Sequence, residues 1–514
     1  MTRRSAEPRR LALALAVCAV AAQAQQEGGN GQPGMLVQTS VNVMETWTDN
    51  LRLGDANKDA ALITTVSPGL RVVSNSGAVR GSLDYALNGI VYVKSDQPSR
   101  VQNSLAANGQ AELISRTLFV DVRASIGQQS ASAFGLQSAP TLGSRGSVDS
   151  LANPNQHETG TLVVSPSLRG QLAGVATYEL RGDVARTEAR GTSLGDSRSH
   201  GGSLRINEAN AGVTGWWLLG STQEVKSSTA ASNRNDSVKL GLDYHPDPDW
   251  SFTLNGGRER NDFLGGSSQQ GNTGGVATRW VPTPRTQLAA DWQYHTYGNS
   301  HSVTFVHRMA RSVWSLSDST STTLGNTGAA GGGSTYYDFY YQQLALSLPG
   351  IDPVKLDAAV RASLQAAGVS PNALVSGGFL STGPSRLHSQ QLAVTLQGVR
   401  STLAALVSRT VTSRLGDNLN QGTLADTSRV EQRSYSLTAS HQLTPLAGLS
   451  LSLSRQETTG DLGSQSTRLT SLLASWNARL AARLSLLVGG RHSRFDSVTP
   501  YTENAVYASL TQQF

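Results

Sequence analysis

Residues Tyr501–Phe514, YTENAVYASLTQQF, alternate between two registers and stop on an aromatic residue. Val506, Ala508 and Leu510 share a register with Phe514, while Glu503, Ala505, Ser509 and Thr511 take the other. A period of two gives a strand one face for apolar surroundings and one for water. Gln512 on the apolar register and Tyr507 on the polar one depart from the pattern. This segment alone would suit the last strand of a closed barrel or of a soluble sandwich, so the choice falls to the rest of the chain.

Period-two segments recur throughout, in pairs joined by short connections rich in turn residues. Val238, Leu240, Leu242 and Tyr244 are followed by HPDPD and then Trp250, Phe252 and Leu254. Val276, Thr278 and Trp280 precede VPTPR, then Leu288, Ala290, Trp292 and Tyr294. Pro and Gly in such connections end pairing because Pro has no N–H for the ladder. Between pairs lie longer polar stretches at 48–60, 129–160, 187–201, 261–273, 319–385 and 412–430. Strict alternation of short and long connections is the pattern of an outer-membrane barrel, with short periplasmic turns, long external loops and both termini periplasmic. Tyr336–Leu348 could be read as a strand, but counting it makes the total odd and breaks the alternation. Leaving it out predicts an all-β fold, a transmembrane antiparallel β-barrel of about 22 strands.

Composition supports this choice. Apolar residues make up 38% of the 514 residues, charged residues 15%, and the mean hydropathy is −0.26. That is thin for several soluble cores, yet too weakly charged for disorder. In a barrel only alternate residues meet lipid, so the average stays near neutral. The N-terminus carries Arg3, Arg4, Arg9 and Arg10, then apolar Leu11–Ala22, then Ala22-Gln23-Ala24. These are the three regions of a secretory signal, with cleavage expected after Ala24. The apolar run falls short of the roughly 20 residues a helical anchor needs. The expected organisation is a signal at 1–24, a short segment at 25–35 and a barrel over 36–514. Cleavage removes Cys18, the single cysteine. The net charge of +6 includes +3 from the signal's four Arg and one Glu, so nucleic acid is not an expected partner.

The stretch 319–385 differs from the other loops. It contains Gly331–Gly333, the aromatic cluster Tyr336, Tyr337, Phe339, Tyr340 and Tyr341, and then LPGIDPVKLDAAVRASLQAAGVSP. Asp352 and Pro353 suit an N-cap and first helical position. Leu356, Val360 and Leu364 follow at helical spacing, and Gly368 suits a stop. The expectation is a short helix over about 353–367, folded into or over the barrel mouth or simply packed on the loop aromatics.

ALITTVSPGLRV, GSLDYAL and LFVDVRASIGQQ, with the later LPGIDPVKLDAAVRASLQAAGVSP and QLAVTLQGVRSTLAALVSRT, resemble the outer-membrane β-barrel family associated with PEP-CTERM/exosortase systems. The resemblance spans most of the mature chain. It implies a place in the outer membrane, near genes for exopolysaccharide production and protein sorting, and a role in polymer export or surface display. Exopolysaccharide and its export components become implied partners, beside outer-membrane lipid and the barrel-assembly machinery. The family offers no catalytic residues to transfer.

The residues themselves suggest no enzyme. No GxSxG, HExxH or Walker motif is present. His295 and His301 are six apart, as are His301 and His307, which is not metal-ligand spacing on a strand. No metal and no cofactor are expected. With the apolar register facing lipid, Asp84, Asn88, Asp121, Arg123, Lys239, Asp243, Asp291, His295, Arg483 and Arg491 are expected to line the lumen. Mixed charge suits a hydrated channel for a polar solute. Trp250, Trp280, Trp292 and Tyr294 are placed to form interfacial girdles. The leading expectation is a non-enzymatic channel or export barrel. The alternatives are a non-conducting assembly barrel and, with less support, an outer-membrane hydrolase. A plugged nutrient transporter is disfavoured because strands start near Met35, leaving no room for an N-terminal plug.

Overall fold

The computed structural model describes residues 34–514 apart from positions 57, 94, 141–147, 193, 211, 229–231, 264–267, 324–335, 348–355, 358, 362, 365–377, 417–420 and 463–464. The signal segment, Gly331–Gly333, Asp352, Pro353 and Gly368 lie outside the described residues.

Twenty-two antiparallel strands form one sheet, each paired with its neighbours in sequence. The sheet closes where the first strand, Met35–Thr48, pairs with the last, Tyr501–Gln513, from Ser40↔Gln513 to Thr48↔Ala505. The Phe514 N–H continues this ladder to the Thr39 carbonyl at 2.9 Å. Closure leaves no unpaired edge, the condition for a sheet to cross lipid.

The period of two becomes an outside and an inside. Leu403 and Val407, Leu437, Leu449, Leu451 and Leu453, Leu472 and Trp476, Val488, and Val506 and Leu510 stand exposed on successive strands as one apolar band. Their alternates face inward and are small or polar, such as Ser450, Ser452, Ser471, Ser475 and Ser509. Gln512 lies one residue from the end of the closing strand, at the rim of the band. Tyr507 turns inward and packs on Leu473 and Leu487. Leu451 is central to the band, so Leu451→Arg is expected to destabilise the barrel by about 2–4 kcal/mol. Equilibrium unfolding in lipid vesicles checks this; an unchanged midpoint would mean this face does not meet hydrocarbon.

One end of the barrel carries only tight turns, at 76–78, 115–117, 173–175, 209–213, 248–249, 284–285, 309–311, 398–400, 445–446 and 482–483. The other end carries 49–60, 131–155, 324–384 and 415–428. The expected strict alternation does not hold at this long-loop end. There the turn at 296–297 is as tight as any, and 461–465 and 497–500 are also short. Several stretches read as loops are partly strand: pairing runs to Ala189, Thr323 and Arg414 and resumes at Ser197, Ser385 and Arg429. Beyond the apolar band the outer face turns charged, with Arg186–Glu188, Arg234–Asp236, Arg409–Glu431 and Arg468–Glu457 ion pairs. A strand polar on both faces shows no period-two signal, which is why these extensions resemble loops.

Trp250 stacks on Phe252 at 5.3 Å and on Trp280 at 5.5 Å beside the turns of the short-turn end. Trp292 and Tyr294 stand exposed near the 296–297 turn at the opposite rim. Each rim thus has an aromatic anchor.

Candidate functional site

A 22-stranded barrel encloses more space than its wall side chains can fill. The largest insertion enters that space. Thr323 and Ser385 are register partners, with their hydroxyls 2.7 Å apart, so the loop between them leaves and rejoins the wall at one point of the long-loop end. Its helix α1, Tyr336–Ser347, occupies the segment that could have been taken for a strand. The following segment is helical at its described positions from Leu356 to Leu364, here called α2.

The two helices are held against the inner wall far below their point of entry. On α1, Phe339 packs on Ala393 and Leu406, which are themselves register partners on adjacent strands. Gln343 Nε2 donates to Ser315 Oγ at 2.8 Å. Ser315 and Ala393 lie close to the short turns 309–311 and 398–400, so the loop descends most of the way through the barrel. Leu356, Val360 and Leu364 form the buried stripe of α2, packed on Tyr336, Tyr340 and Leu344 of α1. Spacing of four residues puts these side chains on one face.

A neighbouring stripe of α2 carries Asp357 and Arg361. Arg71 and Asp84, register partners on adjacent strands, meet them from the wall. Asp357 pairs with Arg71 and, at 3.0 Å, with Arg361, which also pairs with Asp84. Tyr337 donates to Asp357 at 2.6 Å and lies beneath the Arg361 guanidinium, 5.2 Å from its ring centre. Burial alone would lower the Arg361 pKa, but Asp84 and Asp357 outweigh it and hold the guanidinium above its usual value. Burial and the Asp357 carboxylate push the Tyr337 hydroxyl up. Two positive and two negative groups therefore fasten the internal loop to a wall several strands away from the one α1 touches.

The long-loop mouth is covered separately. Val148 and Leu151 of the 131–155 loop pack with Leu51 and Leu53 on inward Ile63, Ile90, Tyr92, Phe495 and Tyr501. Ala133, Phe379, Leu424 and Val430 form a second cluster. Arg491 makes a two-pronged pair with Glu503, at 2.6 and 3.0 Å, and also donates to the Ala139 and Pro140 carbonyls. Thr48 donates to the same Glu503 carboxylate at 3.0 Å. Asp149, deep in this loop, has its carboxyl pushed up by burial.

The residues expected along the lumen fall into different settings. Asp84 is covered by α2, Arg491 lies beneath the mouth loop, and Asn88 is buried against Ser67 and Gln102. Asp121 pairs with Arg181 at 3.0 Å, and Arg123 is exposed on the same register. Lys239 reaches Gln293, Asp243 accepts from Thr253, and Asp291 accepts from Gln293. Asp291 also lines a recess of about 210 Å³ with Ser251, Thr253, Ala277, Arg279 and Ser302. His295 does not engage Asp291; its Nδ1 sits 2.8 Å from Glu259, closed in by Tyr297. Arg483 lies in the 482–483 turn, off the strand on which the alternation had placed it. Sequence reasoning missed Arg71, Glu259, Asp357, Arg361 and Glu503. The i,i+4 pair Asp357/Arg361 was legible as a helix-surface ion pair; its wall partners were not.

Fold and interior together define a closed transmembrane β-barrel with a folded loop inside its lumen. No protein-family model matches the chain, and no curated protein matches it. Among solved structures it is similar to the FrpB iron transporter of Neisseria meningitidis, F3-3 variant (11% identity, TM-score 0.47, covering 93% of this chain and 81% of that one). It is also similar to the siderophore receptor PirA of Pseudomonas aeruginosa (10%, TM-score 0.43, 93% and 80%). A third is OccK2 (OpdF) of Pseudomonas aeruginosa in complex with glucuronate (11%, TM-score 0.34, 93% and 98%).

Proposed function

We propose that the protein is an outer-membrane channel for a polar solute, narrowed by its own internal loop, and that it serves export of an exopolysaccharide. The observation that carries the channel reading is the attachment of α2. Apolar packing holds α1 to the wall, and α2 adds Asp357 and Arg361, which dock on the wall through charge. The four side chains are only 10–21% exposed, so the seat is partly shielded and holds the loop most of the time, while the charges leave it releasable into a hydrated lumen. The apolar band supports membrane insertion, and the tight turns at one end with long loops at the other support an outer-membrane orientation. The polymer class rests on the resemblance of ALITTVSPGLRV and LPGIDPVKLDAAVRASLQAAGVSP given above.

A second reading, a non-conducting assembly barrel, draws on the loops packed across the mouth around Leu151 and Tyr501. Planar-bilayer recording of the purified protein separates the two. Small, intermittent conductance steps are expected from the channel, and silence even after removal of the internal loop would leave only the scaffold. For the polymer, deleting the gene is expected to reduce secreted polysaccharide; unchanged secretion would remove the export role while leaving the channel intact.

A further inference from the structure

The outer wall carries a cluster to which the lumen reading assigns no role. Asp318 lies on Ser312–Thr323, the strand that enters the internal loop, and His388 on Ser385–Gln397, the strand that leaves it. His301 lies on Gly298–Arg308, the next strand on the other side. His301 and His388 are both register partners of Thr320, whose small side chain leaves room for the two rings to lean together. Their ring centres are 5.6 Å apart. Asp318, two residues along, receives both: its Oδ1 lies 3.0 Å from His301 Nε2 and 2.9 Å from His388 Nε2.

We propose that His301, Asp318 and His388 bind a zinc-class divalent cation on the outer face of the barrel. Two imidazoles and one carboxylate are a donor set of that class, with a fourth position open to water. Among the described residues this is the one group of three such side chains whose ligand atoms lie within 4.8 Å of one another. Donors about 2.0–2.2 Å from a shared metal lie a little over 3 Å from each other, so small ring movements suffice. Without the ion each neutral imidazole donates its Nε2–H to Asp318; on binding the proton moves to Nδ1 and the Nε2 lone pair goes to the metal, with no net change in protons. A supporting layer is already built. Gln390 Nε2 donates to the other Asp318 oxygen at 3.0 Å, and Arg409 reaches Gln390 Oε1 at 3.3 Å. Such contacts fix the orientation of a ligating carboxylate.

The position gives the site a task. Leu316, Val303 and Leu392 lie next to it on the same outward register, so it borders the upper edge of the apolar band. The three side chains are each about one-third exposed. A bound cation would join three strands at the root of the internal loop and stiffen its attachment from outside.

The test uses protein purified without a histidine tag, with Zn²⁺ as the probe in equilibrium dialysis. One Zn²⁺ per barrel is expected at micromolar concentration, undisturbed by excess Mg²⁺, which prefers oxygen ligands. Binding is expected to be lost in His388→Ala and Asp318→Asn, and weakened about tenfold in Gln390→Ala. Equal Zn²⁺ uptake by wild type and by the His301→Ala/His388→Ala double variant overturns the proposal, as does no uptake by wild type. If the variants fail to fold, diethylpyrocarbonate labelling of the wild type decides. Zn²⁺ is expected to shield His301 and His388 but not the exposed His200 and His441, and uniform labelling overturns the site.

Discussion

Excising residues 324–384 and joining Thr323 to Ser385 by a short Asn-Gly turn is expected to convert small, intermittent conductance into large, steady steps. The barrel can tolerate the cut because those two residues already face one another across adjacent strands. An Asn-Gly turn has the backbone twist such a hairpin needs. The excision removes Phe339 from Ala393 and Leu406, and Asp357 and Arg361 from Arg71 and Asp84. A gentler version keeps the loop and weakens its seat. Arg361→Ala breaks the contacts to Asp84 and Asp357, leaving Asp357 with Arg71 and the Tyr337 hydroxyl. Hydrogen bonds to charged groups are worth about 1.5–3 kcal/mol where partly shielded. A loss near 2 kcal/mol shifts the seated-to-released ratio by a factor of about 30. Recordings should show open events becoming frequent while the largest step matches that of the excised barrel. Unchanged traces in both variants would mean the loop does not set the pore.

Arg491→Ala is expected to be the most destabilising single substitution in the wall. Its side chain is 4% exposed and that of Glu503 is 1% exposed, so the pair is sealed beneath the 131–155 loop. Removing the guanidinium leaves the carboxylate with Thr48 alone and strips the Ala139 and Pro140 carbonyls of their donor. Breaking a buried pair from one side costs about 3–5 kcal/mol, because the remaining charge stays desolvated. The double variant Arg491→Met/Glu503→Leu should recover most of that loss, since no lone charge is left. Denaturant unfolding of the two variants checks the order; equal losses would mean the energy lies in packing.

The barrel was legible because its signal is redundant. Each apolar band strand repeats the alternation seen in Leu449, Leu451 and Leu453, and the count of about 22 strands needed only their number. Strand extensions beyond the band were hidden, because Arg455 and Glu457 on one face and Ser454 and Gln456 on the other give no periodicity. The helical spacing of Leu356, Val360 and Leu364 was visible, but its destination was not: the wall partners Arg71 and Asp84 lie far away in sequence. The same limit applies to His301, Asp318 and His388. Spacing along one strand holds no trace of a cluster assembled from three. Arg483 sits in the turn just before Leu484; counting by twos does not show where a strand gives way to its turn.

The internal loop enters the lumen with α1 and α2 and seats on the wall at Asp84 through Arg361. A cysteine pair, Asp84→Cys with Arg361→Cys in a Cys18→Ser background, measures this directly, because Cys18 is the single cysteine of the sequence. Treatment of intact outer membranes with a short bis-maleimide is expected to join the two positions within single barrels. The joined protein should then hold its low conductance, while the unjoined pair opens as Arg361→Ala does. Free thiols at both positions after treatment, in protein that still migrates as a folded barrel before boiling, would contradict a loop seated inside the lumen.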